Sequence, residues 1–242
     1  LWIVSAAHPY YAHLTPTDEW LGILTLPREV GLLGSSDGTA LTQWPVKETV
    51  DLRARVVPPG PVEDGAGTRA SRQPADSPTG ARARSGNNST VAYSTRPGRA
   101  YEVEISAGTR FLVELDFGAA GTVAVAWDGT ALGVDRSRCD MGRFVREIDP
   151  LKSVSVPVGA DSGTRQDATA DTRGARLIFD GSVLECFVLS GRIVSTDLLF
   201  PGAPLQTIRV GCDPTAGTDA PQACMVYELR PVMGHRLGRL TP

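Results

Sequence analysis

Val, Ile, Leu and Phe crowd most densely between Ala175 and Pro201, in the stretch ARLIFDGSVLECFVLSGRIVSTDLLFP. Three apolar runs are broken there by Asp180-Gly181 and Ser190-Gly191, pairs that suit a tight hairpin because glycine accepts positive φ without steric cost. The pattern predicts a three-stranded antiparallel meander. In the middle run Leu184, Cys186 and Val188 share one face, and Val183, Glu185 and Phe187 the other. One face is therefore wholly apolar while the second carries a single charge, which predicts a sandwich strand with a carboxylate near an edge.

Similar runs recur upstream and downstream. Strands are predicted at Tyr101 to Ser106, Phe111 to Phe117, Thr122 to Trp127 and Ala131 to Val134, with Asp128-Gly129 as a turn, and again at Leu205 to Val210 and Cys224 to Leu229. A spacing of about ten residues with turn residues between the runs indicates an all-β sandwich or barrel. Near the start, Leu1 to Ala7 reads as a strand followed by a loop through Tyr10, Tyr11 and His13. Trp20 to Pro27 reads as a second strand, and Gly38 turns the chain into a third at Ala40 to Trp44. Three such strands have nothing to cover their apolar face and cannot stand alone in water. Between Val57 and Thr90 aliphatic residues nearly vanish in favour of Pro, Gly, Ser, Ala and Arg, a composition that cannot offset the entropy of ordering and predicts a disordered insertion. Asp161 to Gly174 is a second polar loop.

The 242 residues are 41% apolar, enough to build a real core. With 24 Lys and Arg against 27 Asp and Glu the charges nearly cancel, so neither nucleic acid nor an anionic membrane is predicted as a partner. Arg69, Arg72, Arg82 and Arg84 in the insertion are answered by Glu63, Asp64 and Asp76 and have no interleaved aromatics to stack on bases. No apolar run approaches the roughly 18 residues of a membrane span, and Leu1 to Ala7 lacks the basic region of a signal peptide. The opening Leu, in place of Met, reads as the start of a piece of something longer.

Candidate chemistry is sparse. Cys139, Cys186, Cys212 and Cys224 lack the CxxC spacing of a zinc site. Cys212 and Cys224 bracket a polar loop and could close it as a disulfide in an oxidising compartment, and two unpaired thiols fit the sequence as well. Asn87 and Asn88 begin overlapping N-glycosylation sequons, which matter only in a secreted eukaryotic protein, and a chance match competes in so polar a segment. His8, His13 and His235 have no spaced carboxylate to complete a metal site, no Gly-x-Ser-x-Gly elbow or phosphate-cradling loop is present, and no cofactor is expected. Arg136 and Arg138 read as partners of Asp135, Asp140 or Glu147 in surface or inter-domain ion pairs. Trp20 and Trp44 read as packing residues in preference to a sugar-stacking platform.

Three stretches, in order, resemble the C-terminal part of glycoside hydrolase family 32, the invertases, inulinases and levanases. They are Trp20-Leu-Gly-Ile-Leu-Thr-Leu-Pro-Arg-Glu29 with Gln43-Trp-Pro-Val-Lys-Glu48 and Leu52-Arg53, then Val134-Asp-Arg-Ser-Arg-Cys139, then Phe179-Asp-Gly-Ser-Val-Leu-Glu-Cys-Phe-Val188 with Phe200-Pro201. The resemblance implies an all-β chain: a two-sheet antiparallel β-sandwich preceded by the last strands of an incomplete five-bladed β-propeller. Residues 1–48 would be the remnant of the last blade, 49–99 a linker holding the insertion at about 57–90, and 100–242 the C-terminal sandwich. It also implies a parent enzyme that hydrolyses β-fructofuranosidic bonds in sucrose or fructans with retention, in an extracellular or secretory setting.

A retaining mechanism needs two carboxyl groups roughly 5 to 5.5 Å apart. The family's nucleophile motif, Trp-Met-Asn-Asp-Pro-Asn-like, and its Arg-Asp-Pro motif do not occur here, since Asp149-Pro150 follows Ile148. Glu185-Cys186 imitates the family's acid/base Glu-Cys pair, but its neighbours match the sandwich pattern Asp-x-Ser-Ser-Val-Glu-x-Phe and assign Glu185 a structural or cleft-edge role. No catalytic residue is therefore expected in this chain and the substrate-binding residues are unknown. Its partners would be the missing propeller blades or another subunit. A different class of reading is a stand-alone carbohydrate-binding or assembly module, which predicts exposed aromatics on a sandwich face where the first predicts an orphaned apolar patch within residues 1–48.

Overall fold

A computed structural model describes residues 16, 24–35, 38–60, 90–142, 151–155, 173–214 and 224–231. In chain order its strands are β1 (Arg28–Ser35), β2 (Gly38–Pro45), β3 (Arg53–Val56), β4 (Thr90–Ser94), β5 (Tyr101–Ile105), β6 (Thr109–Asp116), β7 (Thr122–Trp127), β8 (Ala131–Asp135), β9 (Leu151–Ser155), β10 (Ala175–Asp180), β11 (Val183–Val188), β12 (Ile193–Leu198), β13 (Thr207–Pro214) and β14 (Cys224–Leu229). β1 and β2 form a separate hairpin, and the other strands form two six-stranded sheets, ordered β12-β11-β10-β5-β14-β3 and β4-β13-β6-β7-β8-β9. Every pairing is antiparallel. The fold is the expected all-β antiparallel sandwich.

The core lies between the two sheets because strand alternation aims one side chain in two inward. Leu184, Cys186 and Val188 of β11 and Val103 and Ile105 of β5 meet Val113 and Leu115 of β6 and Ile208 and Val210 of β13. Phe117 packs edge-on to Phe179, ring centroids 5.7 Å apart. The meander follows its predicted runs, and Gly181 takes the positive φ of 62° that the β10–β11 turn requires. The β11–β12 connection is a single 3-10 turn, Leu189–Gly191, in which Leu189, Ser190 and Gly191 all adopt positive φ.

The first of these sheets is covered on its outer face too. Ile178, Phe187 and Leu229 form a second apolar cluster there with Leu26, Trp44, Leu52 and Tyr227. This explains why every residue of β11 is buried, as a strand with one solvated face would not be. It also refines the placement of Glu185, read as a carboxylate near an edge: β11 is second in its sheet, beside the edge strand β12, and Glu185 is 3% exposed.

Other expectations shift. Of the strand read at Trp20 to Pro27, residues 20–23 lie outside the described residues and 25–27 are not strand, since Pro27 has no N–H to give a ladder and the Leu26 N–H is taken by Glu185; the first described strand is Arg28–Ser35. Trp20 and the expected strand at Leu1 to Ala7 lie outside the described residues. The stretch read as linker contributes strands at both ends: β3 pairs with β14 and β4 with β13, and Val57 is buried. Residues 61–89, most of the expected insertion, and most of the loop at 161–174 lie outside the described residues. β9, which the sequence reading did not predict, extends the second sheet beyond β8. Among the described residues no helix is long and apolar enough to cross a membrane.

Candidate interaction site between the hairpin and the sandwich

The charged residues inside otherwise aliphatic strands converge on the outer face of the β12-to-β3 sheet. Glu185 faces Thr196 of β12 across the ladder and points at the incoming segment before β1. Its Oε1 accepts the Leu26 N–H at 2.7 Å and its Oε2 accepts from Arg28 Nη2 at 2.7 Å. Arg28 also donates to Thr196 Oγ1 at 2.7 Å and to Gln43 Oε1 at 3.0 Å, and stands 5.1 Å over the Phe187 ring. Trp44 of β2 meets that ring edge-on with centroids 6.1 Å apart. The pair is buried from both sides, each side chain 5% exposed. A buried ion pair survives only when most of its hydrogen-bonding capacity is filled, and here Leu26, Thr196 and Gln43 supply partners while Arg28 Nε has none.

Gly191 makes the approach possible on the other side of the hairpin. A Cβ there would sit 2.1 Å from the Gln43 carbonyl oxygen, so only glycine lets the β11–β12 turn lie against β2.

A second ionic group continues along the same face. Glu102 is fully buried and accepts from Arg53 Nε at 2.9 Å and Nη2 at 2.7 Å, and from Arg176 Nε. Arg53 also reaches Glu104 at 2.9 Å and stacks on Tyr227, 4.0 Å from the ring centroid, and Arg176 reaches Thr49 Oγ1 at 3.1 Å. Burial pushes the Glu102 carboxyl up, but the hydrogen bonds from Arg53 and Arg176 outweigh it and hold it below its ordinary value. Thr49 lies on the 3-10 helix Lys47–Leu52, so this cluster ties the segment after the hairpin to the sheet.

Two clefts open beside the interface. One, of about 460 Å³, runs between Leu24, Thr25 and the sheet residues Ile178, Glu185 and Leu229. The other, of about 670 Å³, lies at the end of the sandwich beside Arg96, Ser182, Phe200 and Pro201. Asp180 and Arg99 border both. Asp180 is exposed, yet partial desolvation by its neighbours raises its carboxyl above its ordinary value.

The sequence reading singled out Glu185 but missed Arg28, Glu102 and Arg176. For Glu102 and Arg176 the signal was present: the charges in YEVEI and ARLIF alternate with apolar residues inside predicted strands, and such charges require partners when buried. Arg136 is buried and not at the surface, 6% exposed with Nη1 donating to the Leu198 carbonyl at 3.4 Å, and Glu147, one of its expected partners, lies outside the described residues. Arg138 pairs with Glu114 at 3.4 Å, a residue outside its expected set. Cys212 and Cys224 are both thiols. Asn87, Asn88, His8, His13 and His235 lie outside the described residues. Among the described residues no three His, Cys, Asp or Glu side chains gather as a metal site.

No model of a known protein family matches the chain. It is 26% identical over 209 residues to a levanase of Bacillus sp. (strain L7), across 83% of this chain and 19% of the levanase. Its fold matches exo-inulinase from Aspergillus awamori with a TM-score of 0.58 at 15% identity, covering 94% of this chain and 40% of that one. It matches β-fructofuranosidase from Schwanniomyces occidentalis with a TM-score of 0.57 at 12% identity, covering 95% of this chain and 44% of that one. The chain thus spans about a fifth of the curated relative and about two fifths of each structure. Levanase, inulinase and fructofuranosidase are the enzyme types whose family the sequence motifs resemble.

Proposed function

We propose that this chain is the C-terminal part of a family 32 glycoside hydrolase, in which residues 24–45 carry the end of the catalytic propeller and the sandwich holds it in place. The parent reaction is hydrolysis of β-fructofuranosidic bonds in sucrose or a fructan, in an extracellular or secretory setting. The observation that carries this reading is the divided character of the hairpin. Its base is latched to the sandwich through Arg28, Glu185 and Trp44, while Leu32 and Leu41, cross-strand neighbours, stand 75% and 52% exposed. Val30 lies on the same face as these two and is 42% exposed. An apolar face of this kind fits the next blades of the same enzyme. The small share of the levanase that the chain covers supports the same reading.

Glu185 is a positioning residue in this scheme. With both oxygens committed to the latch and almost no exposure, it has no access to a sugar. The purified chain is expected to release no fructose from sucrose, inulin or levan, because the family's nucleophile and acid/base motifs are absent from its sequence. Fructose release that disappears in an Asp180→Ala, Glu185→Gln double variant would overturn the reading and put a site in the sandwich.

One observation favours the second reading, a carbohydrate-binding module. The cleft of about 670 Å³ combines two arginines, a carboxyl and Phe200, the mixture that recognises hydroxyls and sugar faces. Calorimetric titration with fructose and inulin separates the two: binding abolished by Asp180→Ala supports the module, and no binding supports the purely structural sandwich.

A further inference from the structure

Cys212 and Cys224 sit on different sheets. Cys212 lies in β13, paired with Phe111 of β6, and Cys224 lies in β14, paired with Ile105 of β5. Both turn into the inter-sheet core, where Cys212 is 8% exposed and Cys224 packs half-buried against the same cluster. The two side chains lie near enough across the sandwich for each to act on the other's thiol. The Tyr93 hydroxyl of β4 reaches the Cys224 sulfur at 3.3 Å, so three side chains from three strands meet at one point.

We propose that Cys212 and Cys224 form a reversible disulfide staple between the two sheets by exchange with a small disulfide such as oxidised glutathione. The geometry assigns the roles. Cys224 is the more exposed sulfur, and hydrogen bonds from Cys212 and Tyr93 favour its thiolate and pull it below the ordinary thiol range despite burial. The hydrogen bond to Cys224 and burial both push Cys212 up, which makes it the resolving partner. The Cys224 thiolate attacks one sulfur of the small disulfide, forming a mixed disulfide and expelling one thiolate. Cys212 then loses its proton, attacks the Cys224 sulfur and expels the second thiolate. Two protein thiols are oxidised to one disulfide as one small disulfide is reduced to two thiols. Cys139 lacks this setting: it is 4% exposed and burial pushes it up to about 11.

The staple closes a loop of eleven intervening residues and joins strands of the two facing sheets across the core. Closing a loop of that size raises the melting temperature of a domain this large by roughly 5–10 °C. The test treats the full chain with oxidised glutathione, digests it without reduction and maps the linked peptides by mass spectrometry. The expected result is a Cys212–Cys224 peptide, a melting temperature raised by that amount and reversal by dithiothreitol. Cys212→Ser should leave a stable glutathione adduct on Cys224, and Tyr93→Phe should slow formation severalfold while reaching the same product. A persistent adduct on Cys224 in the unmutated chain, a bond to Cys139 or Cys186, no loss of thiols, or a linked peptide without a thermal shift would each overturn the proposal.

Discussion

The two faces of the β12-to-β3 sheet are built from the same strands by opposite chemistry. Its inner face presents Leu184, Cys186, Val103, Ile105 and Leu177 to the facing sheet, an apolar surface that fits any complementary surface of the right volume. Its outer face holds Glu185, Glu102 and Arg176 among Ile178 and Phe187, and each charge meets a named partner on the segment from residue 26 to 53. The first kind of surface supplies most of the folding free energy, because burial is favourable wherever apolar area leaves water. The second kind supplies orientation, because a buried charge tolerates only the arrangement that pairs it. A support that must hold a neighbouring element at one angle gains from having the second kind on the side that faces the neighbour.

The comparison breaks first at Glu185. Glu185→Ala leaves Arg28 buried without its counter-ion and should cost about 3–5 kcal/mol, read as a drop in denaturation midpoint. An Arg28→Met, Glu185→Leu double variant should recover most of that loss. It should nonetheless hold the hairpin less firmly, seen as faster amide exchange over residues 28–45. A double variant as damaged as the single one would mean that the pair contributes stability outright and orientation only incidentally.

On the inner face Leu184→Ala, at a site 1% exposed, should cost about 3 kcal/mol by cavity formation and leave amide exchange in the hairpin unchanged relative to the sandwich. Gly191→Ala follows, at about 1–3 kcal/mol, since the added Cβ meets the Gln43 carbonyl and φ is 84°. Its damage should appear in the hairpin, as for Glu185, and not in the core.

Acid sharpens the contrast further. The Glu102 carboxyl is depressed in the folded chain, so its contribution to stability is present above the ordinary carboxylate value and is lost as pH falls through the folded value. Asp180 is raised, so its contribution has the opposite sign and is lost as pH rises through its folded value. Urea midpoints measured from pH 7 down to pH 3 should therefore fall less steeply in Glu102→Gln than in the unmodified chain. They should fall more steeply in Asp180→Asn.

Much of the inner face was legible from residue order alone. Thr122 to Trp127 and Cys224 to Leu229 stand out as apolar runs between turn residues, and the strands found there have the predicted ends. The outer face was not, because alternation tells which residues share a face and not what that face meets. Glu185 therefore read as a carboxylate near an edge, with no sign of its partners Leu26 and Arg28, which lie 159 and 157 residues away in sequence. β3 and β4 were hidden for a related reason. Each is a short strand beside a long Pro- and Gly-rich stretch, and only their partners β14 and β13 reveal them. Gly191 was legible as a turn residue, but its second role, letting Gln43 approach, depends on an element that sequence spacing cannot place.

The smallest effect is expected where the same pair of charges meets water. Arg138 and Glu114 lie 3.4 Å apart, but their side chains are 62% and 26% exposed, against 5% for each member of the Arg28–Glu185 pair. Solvent screens the exposed pair and two long side chains lose freedom to hold it, so Arg138→Ala should change stability by less than about 0.5 kcal/mol. The two pairs therefore form a matched experiment, each with its own double-mutant cycle. The Arg138–Glu114 coupling should fall further when salt is raised to 1 M, while the Arg28–Glu185 coupling should hardly move. Equal salt sensitivity in the two cycles would mean that water reaches Glu185, and the latch would then be no stronger than a surface contact.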